Sequence, residues 1–347
     1  MVIFGAGASY DSFSEYPPES GAAMDQRPPL ANQLFELRFA TTLDQFPQCG
    51  PIVPYLRPGG GNAAPNVEQV LEKYQKQATV DPERNIQLAA IRYYLQTMLR
   101  NCQSQWKQIT HGVTNYGTLL DHVRHRRKPH QKVWLVTFNY DTLLEEALPV
   151  VRVKTNEIKD YIATDYQVIK LHGSINWGHE VKNPILNVET LNELQIATEL
   201  IDMASTLVLE ESYHIIQKPP SGIRRLGSQP KLESRPLFPA LTIPVENKSE
   251  YECPQEHYQL MEKYLPSITD MLLIGWRASE KRFLTSLADS IQKDTRIMVI
   301  SSGEPKAIEA INRMKQANVP GDFIPAKGGF SNSILSGEIE SFLENWE

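Results

Sequence analysis

The chain has 347 residues, of which 41% are hydrophobic and 22% charged, and its formal net charge is −6. This length can bury a sizeable core and form one large domain or two modest ones, and the composition is that of an ordinary soluble globular protein. The negative net charge argues against a surface that coats nucleic acid, and no apolar stretch reaches the roughly 20 residues that cross a bilayer.

A short apolar run over residues 2–4 opens the chain and predicts a first strand, with no basic leader or cleavage site before it. We therefore expect no signal peptide and a cytoplasmic protein. Cys49, Cys102 and Cys253 lie far apart in the sequence and form no Cys-x-x-Cys pair. This spacing favours neither a disulfide framework nor a structural zinc ribbon.

A turn of small residues follows this strand at once, formed by Gly5, Ala6, Gly7, Ala8 and Ser9. Small side chains let backbone N–H groups face a pyrophosphate, so the turn is a candidate nucleotide site. The alternative is purely steric, because Gly-x-Gly turns also close strands that bind nothing.

Residues 66–125 have helical apolar spacing, with Val67, Val70, Leu71 and Tyr74 on one face of the first helix. We interpret this block as an all-helical insertion between the first and second strands of the sheet. The alternative is that its helices pack directly on the sheet.

The second strand is predicted over residues 133–136 and ends in Thr137, Asn139 and Asp141. Asp141 could simply cap the helix that follows. Asn139 is harder to explain in this way, because a polar residue one step beyond a core strand must find partners or face a cleft.

The third strand is predicted over residues 168–171 and delivers His172, followed by Gly173. A histidine at a strand end is more often structural than catalytic. Histidine nevertheless titrates near neutrality as a residue type, which suits it to accept a proton from a ribose hydroxyl or from water. Gly173 leaves room for a ligand.

Two later strands, over residues 269–274 and 296–300, are each followed by an amphipathic helix. Their ends offer Gly275, Ser279 and Ser302, where a ribose could lie outside the strand ends. Alternatively, Ser279 or Ser302 caps the next helix. Strands that alternate with helices of this length predict an α/β fold with a mostly parallel sheet.

The only strongly basic run covers residues 122–132. Such runs are usually solvated loops, although an acidic or nucleic-acid partner is an alternative. Aromatic residues are not interleaved with the basic ones, which disfavours binding of a single strand.

The ordered motifs Gly-Ala-Gly-x-Ser, Thr-x-Asn-x-Asp and Leu-His-Gly resemble the sirtuin family, and most of all the bacterial sirtuin-like domains of antiphage defence systems. The resemblance spans residues 1–347 as a single domain, and the helical block is its least characteristic part. Further matching segments are 27–30 (Arg-Pro-Pro-Leu), 238–241 (Phe-Pro-Ala-Leu), 253–254 (Cys-Pro) and 274–280.

The resemblance implies a Rossmann-like sheet that holds NAD, with the pyrophosphate over Gly5–Ser9. It implies that Asn139 orients the nicotinamide ribose or a water, that Asp141 binds the carboxamide, and that His172 is the general base. The remaining residues expected to line the cofactor are Thr137, Gly173, Gly275, Ser279 and Ser302.

The chain departs from the protein-deacetylating sirtuins in ways that favour water as the acceptor. It cannot build their four-cysteine zinc module, and Phe138 replaces the Gln that precedes their Asn. The loop after the glycine turn also lacks their Gly-Ile-Pro-x-Phe-Arg pattern. The resemblance therefore implies an NAD hydrolase that releases nicotinamide and ADP-ribose, with NAD as substrate and no metal.

Such an enzyme would be the effector of an antiphage defence system. The family resemblance implies a homo-oligomer, with a separate activating partner such as a HerA-type ATPase or a short Argonaute. Nucleic acid would then act only indirectly, and no membrane is involved. Two alternatives remain, a sensor subunit that binds NAD or ADP-ribose without turnover and an ADP-ribosyltransferase.

Overall fold

The fold is described from a computed structural model of the chain, which covers residues 1–57, 66–182, 191–216, 223–225, 234–245, 250–344 and 346. The strands are β1 (Val2–Phe4), β2 (Val133–Thr137), β3 (Tyr166–Lys170), β4 (Gly173–Val181), β5 (Leu209–Ile215), β6 (Ile223–Arg225), β7 (Ser234–Leu241), β8 (Asp270–Ile274), β9 (Arg296–Ile300) and β10 (Asp322–Pro325).

The helices, listed in chain order, are α1 (Ala6–Tyr10), α2 (Ala40–Leu43), α3 (Val53–Leu56), α4 (Val67–Gln77), α5 (Pro82–Thr110), α6 (Asn115–Arg126), α7 (Leu143–Ala147), α8 (Glu193–Asp202), α9 (Gln255–Tyr264), α10 (Lys281–Ser290), α11 (Glu304–Gln316), α12 (Phe330–Leu335) and α13 (Glu338–Leu343). None of the described helices combines the length and the apolar character that crossing a membrane requires.

The chain forms two compact units, and the first comprises Met1–Leu30, Cys102–His172 and Asn247–Glu347. Its sheet has six strands in the order β10-β9-β8-β1-β2-β3, and every neighbouring pair is parallel. The chain winds outward from β1 in one direction and then from β8 in the other. This is the doubly wound, Rossmann-like order, with its switch point between β1 and β8. The predicted α/β fold with a parallel sheet is confirmed.

Helices cover both faces of this sheet. Alternate residues of a strand face opposite sides, and Phe4 packs its ring 5.0 Å from that of Tyr116 in α6. Ile3, on the other side, belongs to a buried cluster with Phe283 of α10 and Ile311 of α11. Burial on both faces explains why the strands are nearly continuous apolar runs.

The strand register brings the carboxyl ends together along one edge of the sheet. Phe4 pairs with both Thr137 and Ile274, and Thr137 pairs with Lys170. The turns that follow β1, β2, β3 and β8 therefore leave the sheet at the same level. All the candidate residues that the sequence places after these strands start from this edge, which we call the carboxyl edge.

The second unit comprises Ala31–Asn101 and Gly173–Glu246. It contains a four-stranded antiparallel sheet in the order β5-β4-β7-β6, which the sequence patterns did not predict. The helical block expected over residues 66–125 consists of α4, α5 and α6, and the boundary between the units falls within α5.

Three arginines of the basic run over residues 122–132, Arg124, Arg126 and Arg127, pair with acidic side chains of their own unit. Arg126 lies 3.0 Å from Glu340, and Arg127 lies 3.2 Å from Asp165. Exposed pairs of this kind add little stability, but they reduce the positive charge that an acidic partner would meet.

Candidate functional site

The glycine turn lies at the switch point, and much of its backbone is bonded to the end of β8. The Gly5 N–H donates to the Ile274 carbonyl at 3.0 Å, and the Gly7 N–H donates to the Gly275 carbonyl at 3.1 Å. The Ala8 N–H donates to the Gly5 carbonyl at 2.9 Å. These three N–H groups are therefore committed to the protein and do not face a pyrophosphate in this structure, contrary to the expectation for the turn.

Steric packing explains why glycine occupies positions 5 and 7. A Cβ on Gly5 would lie 2.6 Å from the Gly275 carbonyl oxygen, and a Cβ on Gly7 would lie 2.7 Å from the Gly275 Cα. Gly275 itself has a φ of +63°, and a Cβ there would lie 2.2 Å from the Ala8 nitrogen. The steric interpretation of the turn is therefore correct for both glycines, which allow the ends of β1 and β8 to interlock.

Asn139 is held against the glycine turn by its amide nitrogen. This nitrogen lies 3.0 Å from the Gly5 carbonyl oxygen, 3.0 Å from Ser9 Oγ and 3.3 Å from the Tyr116 hydroxyl. No described residue donates a hydrogen bond to the carboxamide oxygen of Asn139. That oxygen is the part of the side chain left to accept a hydrogen bond from a ligand.

Asp141 joins the same network through Ser9. The Ser9 hydroxyl donates to Asp141 Oδ2 at 2.7 Å, which leaves Ser9 Oγ to accept from the Tyr116 hydroxyl at 2.9 Å. The other carboxylate oxygen of Asp141 accepts the Leu143 N–H at 3.1 Å, in the first turn of α7. Asp141 therefore does satisfy a helix N–H, as the capping alternative expected, but it also anchors Ser9.

Burial controls the protonation of this network. Burial raises the pKa of the Asp141 carboxyl, although Lys170 and the Ser9 hydroxyl oppose the shift. Burial also raises the pKa of Tyr116 well above its ordinary value, and Asp141 adds to the effect. Tyr116 therefore stays protonated and acts as a donor, so the hydrogen bonds run from Tyr116 through Ser9 to Asp141.

Thr137 acts inside the turn that follows β2. Its hydroxyl accepts the Asn139 N–H at 3.0 Å, and the side chain is buried. The neighbouring Phe138 N–H donates to the Phe4 carbonyl at 3.0 Å. The hydroxyl expected to line the cofactor thus fixes the backbone that presents Asn139.

His172 lies beside the backbone that carries Asn139. Its Nδ1 is 3.1 Å from the Phe138 carbonyl oxygen, and its ring centre lies 5.0 Å from that of Phe138 and 6.1 Å from that of Tyr140. Because a carbonyl oxygen only accepts, Nδ1 carries a proton, and Nε2 is the basic nitrogen of the neutral ring. This tautomer is the one a general base at Nε2 requires.

The three candidate catalytic residues are almost fully buried. Asn139, Asp141 and His172 are 7%, 8% and 5% exposed. A cavity of about 350 Å³ lies elsewhere, at the opposite edge of the sheet among residues such as Trp134 and Asp270. Neither Asn139 nor His172 lines that cavity.

The two serines expected to line the cofactor follow β8 and β9 in the chain. Ser279 donates from its hydroxyl to Glu280 Oε2 at 3.3 Å, and Ser302 is exposed. The N-cap positions of α10 and α11 are occupied by Glu280 and Gly303. Neither serine is a helix cap, so that alternative is wrong, and both remain candidates for ligand contact.

Gly173 is required by the packing of the second unit. It opens β4 with a φ of +78°, and a Cβ there would lie 2.2 Å from the Ala240 carbonyl oxygen. Close approach of β7 therefore accounts for this glycine.

Metal-type side chains cluster at one described place, also in the second unit. Glu180, Glu210 and His214 offer ligand atoms within 4.8 Å of one another, but Arg235 lies 2.5 Å from Glu180. A guanidinium at this distance makes the group an ion pair. Cys49, Cys102 and Cys253 are buried and take no part in it.

Sequence reasoning missed Tyr116 and the pair formed by Lys170 and Glu145. Tyr116 lies in α6, remote in sequence from the motifs, and no local pattern singles it out. Lys170 did carry a signal, because it interrupts an otherwise apolar strand. Its Nζ lies 2.9 Å from Glu145 Oε1, with both side chains buried.

No protein-family model matches this chain, and no curated protein sequence matches it. Support for a function therefore comes from the geometry and chemistry of the site and from the motif resemblance.

Proposed function

We propose that the chain is an NAD hydrolase that cleaves the nicotinamide glycosidic bond, and that Asn139 and His172 are its catalytic residues. One observation carries the proposal. Two polar side chains follow adjacent parallel strands at the carboxyl edge of a Rossmann-like sheet, beside its switch point, and the Asn139 carboxamide oxygen has no donor among the described residues. Nucleotides bind to α/β sheets at this position.

The chemistry asks little of the protein beyond positioning. Nicotinamide is a good leaving group because it departs neutral from a cationic glycoside, taking the electrons of the C–N bond and leaving an oxocarbenium-like ribose. A water molecule then adds to that carbon and gives up a proton. The net reaction converts NAD⁺ and water into nicotinamide, ADP-ribose and a proton, so no metal or second cofactor is consumed.

In this proposal the Asn139 carboxamide oxygen accepts a hydrogen bond from a ribose hydroxyl or from the attacking water. His172 accepts the proton released by that water, since its Nδ1 is held by the Phe138 carbonyl and Nε2 is the basic atom. One positioned base contributes about a hundred- to ten-thousand-fold in rate. Asp141 then serves mainly to fix Ser9, and through it Asn139.

The proposed phosphate contacts differ from the first expectation. Gly5, Gly7 and Ala8 already donate their N–H groups to protein carbonyls, so we do not assign the pyrophosphate to them. Ala6, at the first position of α1, is half-buried. It is the residue of the turn that we propose to meet the pyrophosphate.

Water is the proposed acceptor because of the residue that precedes Asn139. Phe138 stacks on Trp276, with ring centres 5.3 Å apart and planes 6° from parallel. A buried, stacked ring offers no polar contact to an acyl-lysine, in contrast to the Gln of the deacetylases that the motifs resemble. This favours hydrolysis over deacylation.

The burial of the candidate catalytic side chains supports an enzyme whose activity is regulated. Side chains that are less than a tenth exposed offer little surface to a dinucleotide in this structure, which favours an enzyme whose site opens when it is activated. Together with the motif resemblance, this leads us to propose an antiphage effector that depletes NAD when triggered. The proposed trigger is a separate chain, such as a HerA-type ATPase or a short Argonaute.

Product analysis tests the activity. We expect the purified chain, incubated with NAD together with its activating partner, to release nicotinamide and ADP-ribose in equal amounts by chromatography. Nicotinamide accompanied by protein-linked ADP-ribose would instead identify a transferase. Intact NAD that stays bound in the activated complex would identify a sensor, and either result would reject the hydrolase.

We also propose that the chain works as a homo-oligomer, as its motif resemblance implies. Light scattering at micromolar concentration is expected to give a multiple of the 39.4 kDa chain mass. A mass of one chain would contradict this part of the proposal and leave the hydrolase activity to be judged on its products.

A further inference from the structure

Lys170 is fully buried at the end of β3, two residues before His172. Lysine is almost never buried in this way unless its charge is paired. Its Nζ lies 2.9 Å from Glu145 Oε1 and donates to the backbone carbonyl of Asp141 at 2.5 Å. One side chain of β3 therefore bonds directly to the turn that follows β2.

Glu145, the partner of the Lys170 ammonium, has one carboxylate oxygen that accepts no hydrogen bond from the described residues. Glu145 Oε1 also accepts the Tyr161 hydroxyl at 3.2 Å. Glu145 Oε2 is buried and has no hydrogen-bond partner among the described residues. A buried ion pair gains little over an apolar pair of the same size, because desolvation offsets the attraction. Stability alone is therefore a poor explanation for the presence of Lys170 and Glu145.

The contact with Lys170 helps to fix the turn over residues 138–142, because few backbone hydrogen bonds hold it. Only the first residue of the turn still bonds to a neighbouring strand, through the Phe138 N–H and the Phe4 carbonyl, and side chains hold the backbone that follows. Thr137 accepts the Asn139 N–H, and Gln103 accepts the Thr142 N–H at 2.9 Å. Lys170 is the charged donor of this set, and charge-assisted hydrogen bonds are about twice as strong as neutral ones.

We propose that Lys170 is a positioning residue: it holds the turn over residues 138–142 in register with the strand end that bears His172. The contact sets the separation between Asn139 and His172, because Lys170 belongs to β3 and its acceptor belongs to the turn after β2. Glu145 serves to keep the ammonium in place. The inference rests on the proposed function for its catalytic consequence, but the ordering of the turn can be measured without it.

The decisive variant carries both Lys170→Met and Glu145→Leu. It removes the two charges together and keeps the volume of the core, so we expect a smaller loss of melting temperature than in the single variant, set by the Asp141 carbonyl and the Tyr161 hydroxyl that lose a partner. Lys170→Met alone leaves an unpaired buried carboxylate and is expected to lower the melting temperature by about 10 °C.

Hydrogen exchange then separates positioning from a merely structural role. In the double variant we expect amide exchange over residues 138–143 to rise at least about tenfold, and NAD cleavage to fall by a similar factor. If Lys170 only filled the core, restoring stability would restore both quantities. Unchanged exchange and unchanged cleavage in the folded double variant would overturn the proposal.

A matched control removes an ion pair at the other edge of the sheet. Arg296 bonds to Asp270 at the amino ends of β9 and β8, and Asp270→Asn with Arg296→Gln should leave exchange over residues 138–143 unchanged. If the Lys170 double variant does not fold, Lys170→Gln replaces it. Its amide is uncharged and one bond shorter than the lysine side chain, so it holds the Asp141 carbonyl less strongly and faster exchange is again expected.

The two hypotheses fail in different ways. An unaltered chain that never cleaves NAD would reject the proposed function, whereas the exchange comparison would still decide the role of Lys170. Normal cleavage in the unaltered chain together with normal exchange in the variant would reject only the role of Lys170.

Discussion

Replacing Asn139 with alanine is expected to lower the rate of NAD cleavage by at least about 100-fold, because a preorganised hydrogen-bonding group at the reacting ribose is lost. Folding should be little affected. Ser9, Tyr116 and Asp141 still bond to one another without the amide, so the cost in stability is about 1 kcal/mol. Nicotinamide release by the activated protein and a urea titration measure the two effects.

His172→Ala serves as the second arm of this experiment and is expected to cost about 100- to 10,000-fold in rate. Asn312→Ala is the matched control, since Asn312 is exposed on α11 and its removal should change neither rate nor stability. If Asn139→Ala folds normally and releases nicotinamide as fast as the control, the proposed catalytic site is wrong.

Replacing Gly275 with alanine is expected to have the largest effect on stability, a loss of about 4 kcal/mol. The added Cβ would lie 2.2 Å from the Ala8 backbone nitrogen, and the φ of +63° disfavours any side chain. Because the clash is with backbone, the ends of β1 and β8 must separate to relieve it. The free energy of unfolding in urea measures this loss.

Gly337→Ala isolates the conformational part of that cost. Gly337 has a φ of +74°, but a Cβ there would have no neighbour within 4 Å. We expect a loss of only about 1 kcal/mol. Equal losses at Gly275 and Gly337 would show that the interlock between β1 and β8 contributes nothing to stability.

The inner strands of the first unit could be predicted because burial on both faces makes them mostly apolar. The structure has strands β1, β2, β3 and β8 where apolar runs precede Gly5, Asn139, His172 and Gly275. The antiparallel sheet of the second unit escaped prediction. Its strand β5 is only partly buried along its length, so it lacks the continuous apolar run that marked the others.

The candidate site was predicted only in part, because the sequence shows which residues need partners but not which residues supply them. Asn139 and Asp141 stood out because polar groups directly after a core strand need partners, and the structure supplies those partners in Ser9 and Tyr116. Tyr116 could not be foreseen, since its contact with Ser9 joins positions 107 residues apart. Pattern along the chain carries no information about such a contact.

The amino-acid sequence by itself determined which segments become parallel strands and which polar residues stand at their ends, because burial and chain direction are encoded locally. The tertiary structure alone decided what those residues touch. Gly5 and Gly7 pack against the backbone of Gly275, just after β8. The buried Lys170 donates to the carbonyl of Asp141. Contacts of this kind depend on how separate strands are placed side by side, which no single segment specifies.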